Sequence, residues 1–117
     1  MHESVLKWVG ETLVSADVAG RSVLEVGSYD VNGSVRPIVL ASEPASYTGV
    51  DQSAGPGVDQ VVSAVDLVAE FGAGSFDVVI STEMLEHVEL PLDVIPEMVE
   101  VLAPGGLLVL TTRSPGF

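Results

Sequence analysis

The spacing of apolar and polar residues predicts an alternation of helices and strands along the chain. Apolar residues recur every three to four positions over residues 3–17, which indicates an amphipathic helix. Short runs rich in valine, leucine and isoleucine predict five buried strands, at residues 22–26, 47–51, 58–63, 76–81 and 107–112. Further helical segments are predicted at residues 34–42, 67–71, 83–88 and from residue 91 onward.

Strands that are separated by helices pair in parallel, through right-handed crossover connections. The fourth and fifth predicted strands are apolar almost throughout, which is typical of a sheet covered by helices on both faces. Ser34 is a predicted N-cap of the helix at residues 34–42, with Pro37 in its first turn, and residues 103–106 form a predicted turn. The sequence therefore predicts one α/β domain over residues 1–117, with a Rossmann-like, mostly parallel sheet.

The net charge of the chain limits the classes of molecule that it can bind. The chain has 17 acidic and 4 basic residues, and its net charge is −13 at pH 7. Such a chain repels a phosphate backbone, and four basic side chains cannot build the positive footprint of a nucleic-acid-binding surface. We therefore expect no nucleic-acid partner and interpret the acidic surface as a solubility feature.

Cysteine content and the lengths of the apolar runs bear on the compartment. The chain has no cysteine, so disulfides and thiolate zinc sites are excluded. The N-terminal segment is charged and lacks the apolar core of a signal peptide, and the apolar runs are far shorter than a membrane span. We expect a cytoplasmic protein with no membrane partner.

Polar residues follow the predicted strands at their carboxyl ends, where ligands bind in an open parallel sheet. Glu25, near the end of the first strand, can accept from an ammonium group, and Gly27 allows a sharp turn close to a ligand. Gly33 and Ser34 open the next helix, whose first amides can receive a carboxylate. Asp51 ends the second strand, where an acidic residue can accept two hydrogen bonds from ribose hydroxyls.

The third strand is followed by Asp66 and Leu67. The carboxylate of Asp66 is a candidate acceptor for an adenine amino group, and Leu67 is a candidate to pack on the adenine ring. A carboxylate site beside an ammonium site suits the amino-acid end of S-adenosylmethionine (SAM).

Six segments, in this order, resemble the successive motifs of class I SAM-dependent methyltransferases, and most closely those of the type 11 methyltransferase domain: residues 23–27, 49–51, 64–67, 76–81, 83–88 and 102–107. The resemblance implies methyl transfer from SAM to an O, N or C atom of a small-molecule acceptor. The reactants would be held in line and water excluded. The implied cofactor-binding residues are Glu25, Gly27, Ser28, Tyr29, Gly33, Asp51, Gln52, Asp66, Leu67 and Thr82.

The chain departs from the family pattern in two places. Tyr29 and Val31 stand where the family usually has the second and third glycines of its loop, so the loop up to Gly33 must follow a longer path. Five strands are predicted, whereas the family fold has seven, the last two antiparallel. We expect those last two strands to be missing, which leaves an open apolar edge through which copies can associate.

Glu83, Glu86 and His87 share one helical face directly after the fourth predicted strand. The pattern resembles the magnesium-binding motif of ubiquinone-pathway O-methyltransferases and of small-RNA 2′-O-methyltransferases. Two carboxylates and an imidazole on one face can hold a divalent ion. The alternatives are catalytic residues, with His87 as general base and Glu83 beside it, or a structural wall of the pocket. The sequence favours the wall over the base and the base over magnesium, and predicts that all three line the acceptor side.

Two other functions stay open at this point. A strand, a glycine loop and a helix followed by an acidic residue also describe the nicotinamide-binding site of an NAD(P)-dependent oxidoreductase, although the chain has no complete G-x-G-x-x-G. A binding module that keeps the fold without turnover also fits the altered glycine loop. Stabilisation by S-adenosylhomocysteine (SAH) or by NADH would separate the methyltransferase from the oxidoreductase.

Overall fold

Helices and strands alternate in a computed structural model that describes residues 3–12, 15–30, 33–82 and 91–111. The helices are α1 (Glu3–Thr12), α2 (Ser15–Val18), α3 (Arg36–Leu40), α4 (Leu67–Phe71) and α5 (Pro91–Glu100). The strands are β1 (Ser22–Val26), β2 (Ser46–Asp51), β3 (Gln60–Val61), β4 (Phe76–Thr82) and β5 (Leu102–Thr111). No helix in these ranges is both long and apolar enough to cross a membrane.

The strands form one sheet in the order β3-β2-β1-β4-β5, and all four pairings are parallel. This confirms the predicted α/β, Rossmann-like architecture with five strands. The chain runs outward from β1 to β2 and β3, and then crosses to the other side of β1 for β4 and β5. The order of strands therefore reverses between β1 and β4, which opens a crevice at their carboxyl ends.

Helices cover both faces of the sheet, and a separate apolar core fills each side. On one face, Leu24, Val79 and Met98 belong to a core cluster closed by α4 and α5, in which the rings of Phe71 and Phe76 meet edge to face at 5.1 Å. The other core cluster includes Val9 of α1, Val18 of α2, Val23, Val39 of α3 and Ile80. Burial on both faces explains the apolar runs in β1 and β4, in each of which all residues but one are buried.

Two predicted strand boundaries are corrected by the structure. The third strand spans only Gln60–Val61, not residues 58–63, and the amide of Val58 donates to the carbonyl oxygen of Gly55 in the preceding loop instead of to β2. The fifth strand begins at Leu102, so the predicted turn at residues 103–106 lies inside β5. It forms an irregularity there, since Phe76 pairs with Leu102 but Val78 pairs with Leu107.

One predicted helix differs from the helix observed, and another cannot be compared. The helix predicted at residues 34–42 is shorter, Arg36–Leu40, and Ser34 lies before it. The hydroxyl of Ser34 nevertheless accepts a hydrogen bond from the amide of Arg36 at 3.0 Å. The predicted helix at residues 83–88 lies outside the described residues.

Candidate functional site

Three of the predicted cofactor-binding residues form one row at the carboxyl edge of the sheet. Gly27 directly follows β1, Asp51 ends β2 and Thr82 ends β4. Paired residues of neighbouring parallel strands point to the same face, and side chains alternate along each strand. Glu25 pairs with Gly49 and with Ile80, so Asp51 and Thr82, each two residues further along, lie on the same face as Glu25, next to the crevice where the strand order reverses.

The carboxylate of Asp51 lies against the loop that follows β1 (residues 27–30, here called the first loop). Its Oδ2 atom accepts a hydrogen bond from the amide of Tyr29 at 3.3 Å, and its Oδ1 atom accepts one from the amide of Ser53 at 3.0 Å. Each carboxylate oxygen can accept two hydrogen bonds. Both oxygens can therefore also receive a donor from a ligand, as the paired hydroxyls of a ribose would require.

The amides of the first loop donate to acceptors within the protein. Those of Gly27 and Ser28 donate to the carbonyl oxygen of Val50 at 2.8 and 2.9 Å, and that of Asp30 donates to the carbonyl oxygen of Pro56 at 2.8 Å. Pro56 belongs to the loop that follows β2 (residues 52–59, here called the second loop). The first loop is thus bonded to β2 and to the second loop.

The expectation that the amides at Gly33 and Ser34 receive a ligand carboxylate does not fit the geometry at Gly33. The amide of Gly33 donates to the Oδ1 atom of Asp30 at 2.9 Å, and that of Arg36 is bonded to Ser34. Pro37 has no amide hydrogen, and α3 has only five residues. The amides of Gly33 and Arg36 are therefore already bonded, so the expectation does not fit Gly33, and for Ser34 it stays a prediction.

Glu25 is a carboxyl group buried within β1, with 3% of its surface exposed. The hydroxyl of Tyr47 on β2 donates to its Oε1 atom at 2.6 Å. Burial raises the pKa of Glu25 to about 7, although the hydrogen bond from Tyr47 and the charge of Arg36 both oppose the rise. Burial, followed by the charge of Glu25, raises the pKa of Tyr47 far above its usual range, so Tyr47 remains a donor.

A charged network surrounds this pair. The guanidinium of Arg36 lies 4.9 Å from the ring centre of Tyr47 and donates to both carboxylate oxygens of Asp59, at 3.2 and 2.9 Å. Asp59 also accepts from the amide of Gly49 at 2.7 Å. No sequence pattern predicted the roles of Arg36, Tyr47 and Asp59, because the residues joined by the Arg36–Asp59 and Tyr47–Glu25 hydrogen bonds are more than 20 positions apart.

The residues predicted to bind adenine are placed differently. Asp66 is exposed and directly precedes α4, and Gln52 is exposed just after β2, so both can reach a ligand. Leu67, the first residue of α4, is completely buried in the core. Stacking on an adenine ring requires exposed side-chain surface, so the role predicted for Leu67 does not fit the structure.

Two buried hydroxyl oxygens at the carboxyl ends of the strands lack a hydrogen-bond partner among the described residues. They are the Oγ atoms of Ser28, two residues after β1, and of Ser81, near the end of β4. A buried polar group without a partner destabilises a fold by about 1–3 kcal/mol. Such groups are typical of places where a ligand or water completes the bonding.

Glu83, Glu86 and His87 lie outside the described residues. The described ranges contain no group of three His, Cys, Asp or Glu side chains that could hold a metal ion. Their predicted roles as pocket wall, catalytic residues or magnesium ligands therefore stay predictions.

Comparison with known proteins relates this chain to a protein family. The family model of a methyltransferase domain matches residues 24–110. A ubiquinone biosynthesis O-methyltransferase from Pseudomonas paraeruginosa is 34% identical over 94% of this chain, and one from Nitrosococcus oceani is 33% identical over 86%. The chain spans about half the length of these relatives, 51% and 48%.

Solved structures share the fold at lower identity. The S-adenosylmethionine-dependent methyltransferase from Mesorhizobium loti superposes with a TM-score of 0.72 at 22% identity, covering 96% of this chain and 52% of that one. The methyltransferase CalH, solved in complex with SAH, gives a TM-score of 0.57 at 18% identity, covering 91% and 34%. The prediction of a class I SAM-dependent methyltransferase domain is confirmed: the chain belongs to the methyltransferase-domain family.

Proposed function

We propose that this chain forms the SAM-binding part of a methyltransferase that acts on a small-molecule acceptor. The observation that carries the proposal is the position of Asp51, at the carboxyl end of β2, with both of its oxygens able to accept from a ligand. Membership of the methyltransferase-domain family supports SAM as that ligand and argues against the nicotinamide-dependent alternative.

The residues at this edge fit the chemistry of SAM in three respects. Asp51 supplies acceptors for two ribose hydroxyls. Glu25 supplies an anion that an ammonium group would stabilise, because a nearby positive charge favours the ionised form of a buried carboxyl. The unpartnered hydroxyls of Ser28 and Ser81 supply further polar contacts that a bound molecule or water would complete.

The chemistry that SAM supplies is an electrophilic methyl group on a sulfonium sulfur. The protein's contribution is then to hold both reactants in line and keep water out of the crevice, which can account for many orders of magnitude in rate. Gly27 allows the first loop to turn with a positive φ of 80°, and Thr82 extends the floor of the crevice towards β5. Glu83, which directly follows Thr82 in the sequence, and His87, four residues later, are the residues we propose for the acceptor side.

A hydroxyl oxygen is the acceptor atom to test first, because the relatives in Pseudomonas paraeruginosa and Nitrosococcus oceani are named O-methyltransferases. Release of SAH from SAM, measured with small hydroxyl, amine and carbon acceptors in turn, would identify the acceptor class. Turnover confined to amine or carbon acceptors would replace the assignment of oxygen but leave the SAM site intact.

Replacement of Asp51 tests the cofactor site. Asp51→Ala removes acceptors for two hydrogen bonds from the ligand, each worth roughly 1.5–3 kcal/mol before compensation. Isothermal titration should therefore show SAH affinity reduced by at least about tenfold. Asp93→Ala, which removes an exposed carboxylate from α5, is the matched control and should bind SAH as the wild type does. Unchanged affinity in Asp51→Ala, or a melting temperature raised by NADH and not by SAH, would contradict the proposal.

A further inference from the structure

The first loop carries bulky residues, and the glycines that accommodate them lie in the second loop. A Cβ atom on Gly55 would overlap the ring of Tyr29. A Cβ atom on Gly57 would lie 2.5 Å from the carbonyl oxygen of Ser28 and 3.3 Å from the Cβ atom of Asp30. A Cβ atom on Gly57 would meet backbone, which cannot easily give way, whereas one on Gly55 would displace the Tyr29 ring, so the observed fit of the two loops depends on both glycines.

Tyr29 takes part in this fit through both its side chain and its backbone. Its ring lies on Gly55, and its amide donates to the Oδ2 atom of Asp51. The next amide, that of Asp30, donates to the carbonyl oxygen of Pro56 in the second loop at 2.8 Å. The ring contact and the bond to Asp51 therefore belong to one junction between the two loops.

Burial alone does not explain the close fit of the Tyr29 ring. The side chain is 41% exposed and belongs to neither core cluster. The bond that it accompanies is 3.3 Å long, whereas N–H···O hydrogen bonds are usually 2.7–3.2 Å. A long bond from an exposed residue to a half-buried carboxylate depends on the packing that holds the two groups together.

We propose that Tyr29 is a positioning residue for Asp51. Its ring, seated on Gly55, holds the Tyr29 amide against the Asp51 carboxylate and so fixes the direction in which that carboxylate faces the cofactor. The inference rests on the proposed SAM site and adds to it a residue that acts through Asp51. It also accounts for a tyrosine at a position where the family loop usually has glycine.

Gly55→Ala tests this role without changing a hydrogen-bonding group. The added methyl group displaces the Tyr29 ring, which can move into solvent at little cost in stability because it is half exposed. We expect SAH affinity, measured by calorimetry, to fall about tenfold, the scale of one hydrogen bond to a charged group, while the melting temperature changes little. Tyr29→Ala should weaken SAH binding similarly, and Gly55→Ala should then add almost nothing.

Gly10→Ala is the matched control, because its methyl group enters ordinary van der Waals space, 3.7 Å from the Cγ2 atom of Ile38. A second readout needs no ligand: amide hydrogen exchange at Tyr29 and Asp30 should be about tenfold faster in Gly55→Ala and unchanged in Gly10→Ala.

The outcomes separate the positioning role from the proposed function. If the wild type binds SAH and Gly55→Ala binds it equally well, the positioning role is overturned and the SAM site stands. If the wild type does not bind SAH, the proposed function fails, and amide hydrogen exchange alone then tests the junction between the two loops. Faster exchange at Tyr29 then supports the loop junction, and unchanged exchange overturns it.

Discussion

Glu25→Gln should change how the stability of the domain depends on pH. In the native protein Glu25 is 3% exposed and bonded to Tyr47, and burial raises its pKa from 4.5 to about 7. Glutamine has nearly the same shape and keeps a carbonyl oxygen that can accept from Tyr47, but it cannot ionise. The substitution therefore isolates the effect of one buried charge.

The magnitude follows from the two pKa values. The difference between 4.5 and about 7, at about 1.4 kcal/mol per pKa unit, corresponds to about 3 kcal/mol. Below pH 4.5 the carboxyl is protonated in both the folded and the unfolded states. Between pH 4.5 and 7 the unfolded chain releases the proton while the folded protein keeps it, so this stabilisation is lost as the pH rises. Above pH 7 the loss is complete.

Urea denaturation at pH 4.5 and pH 8 measures the effect. The free energy of unfolding of Glu25→Gln, minus that of the wild type, should be about 3 kcal/mol larger (the variant relatively more stable) at pH 8 than at pH 4.5. Glu100→Gln, which removes an exposed carboxylate from the end of α5, controls for the loss of one negative charge. A Glu25→Gln difference that is the same at both pH values would refute the assignment of a buried, titrating carboxyl.

Two further predictions concern charge and the segment after β4. With a net charge of −13, the protein should not retain RNA or DNA in a filter assay at moderate salt, and binding that weakens as salt rises would contradict this. For Glu83, Glu86 and His87, loss of turnover in EDTA that magnesium restores would show a metal site, and lower turnover of His87→Ala at unchanged SAM affinity would show a general base. A lower melting temperature in that variant would show the structural wall that the sequence favours.

Sequence patterns predicted the central strands well, because these strands are buried on both faces and so contain short, nearly continuous apolar runs. The first strand has its predicted bounds, Ser22–Val26, and the fourth extends one residue past the predicted range, to Thr82. The position of Asp51 at the end of the second strand followed from the same pattern. Parallel pairing then brought Asp51 next to the first loop, as the sheet order requires.

The edge strands were harder to predict, because hydrogen bonds that break a ladder have no apolar signature. The valines around the third strand suggest residues 58–63, yet the amides of Val58 and Asp59 donate to Gly55 and Gly49, and only two residues pair. The donors of the first loop were likewise unpredictable, since their acceptors lie in β2 and in the second loop. Long-range partners of this kind become visible only in the folded chain.

Electrostatics add a reason for the site to prefer a cation. Arg36 is the positive group beside Glu25, but its guanidinium already donates two hydrogen bonds to Asp59. With that charge matched, Asp51 and, above pH 7, the ionised Glu25 leave the carboxyl edge of β1 and β2 negative. In the proposed function the ammonium of the bound cofactor lies near Glu25. Such a positive charge would favour the ionised form of this buried carboxyl and so lower its pKa, which couples binding of the cofactor to loss of a proton from Glu25.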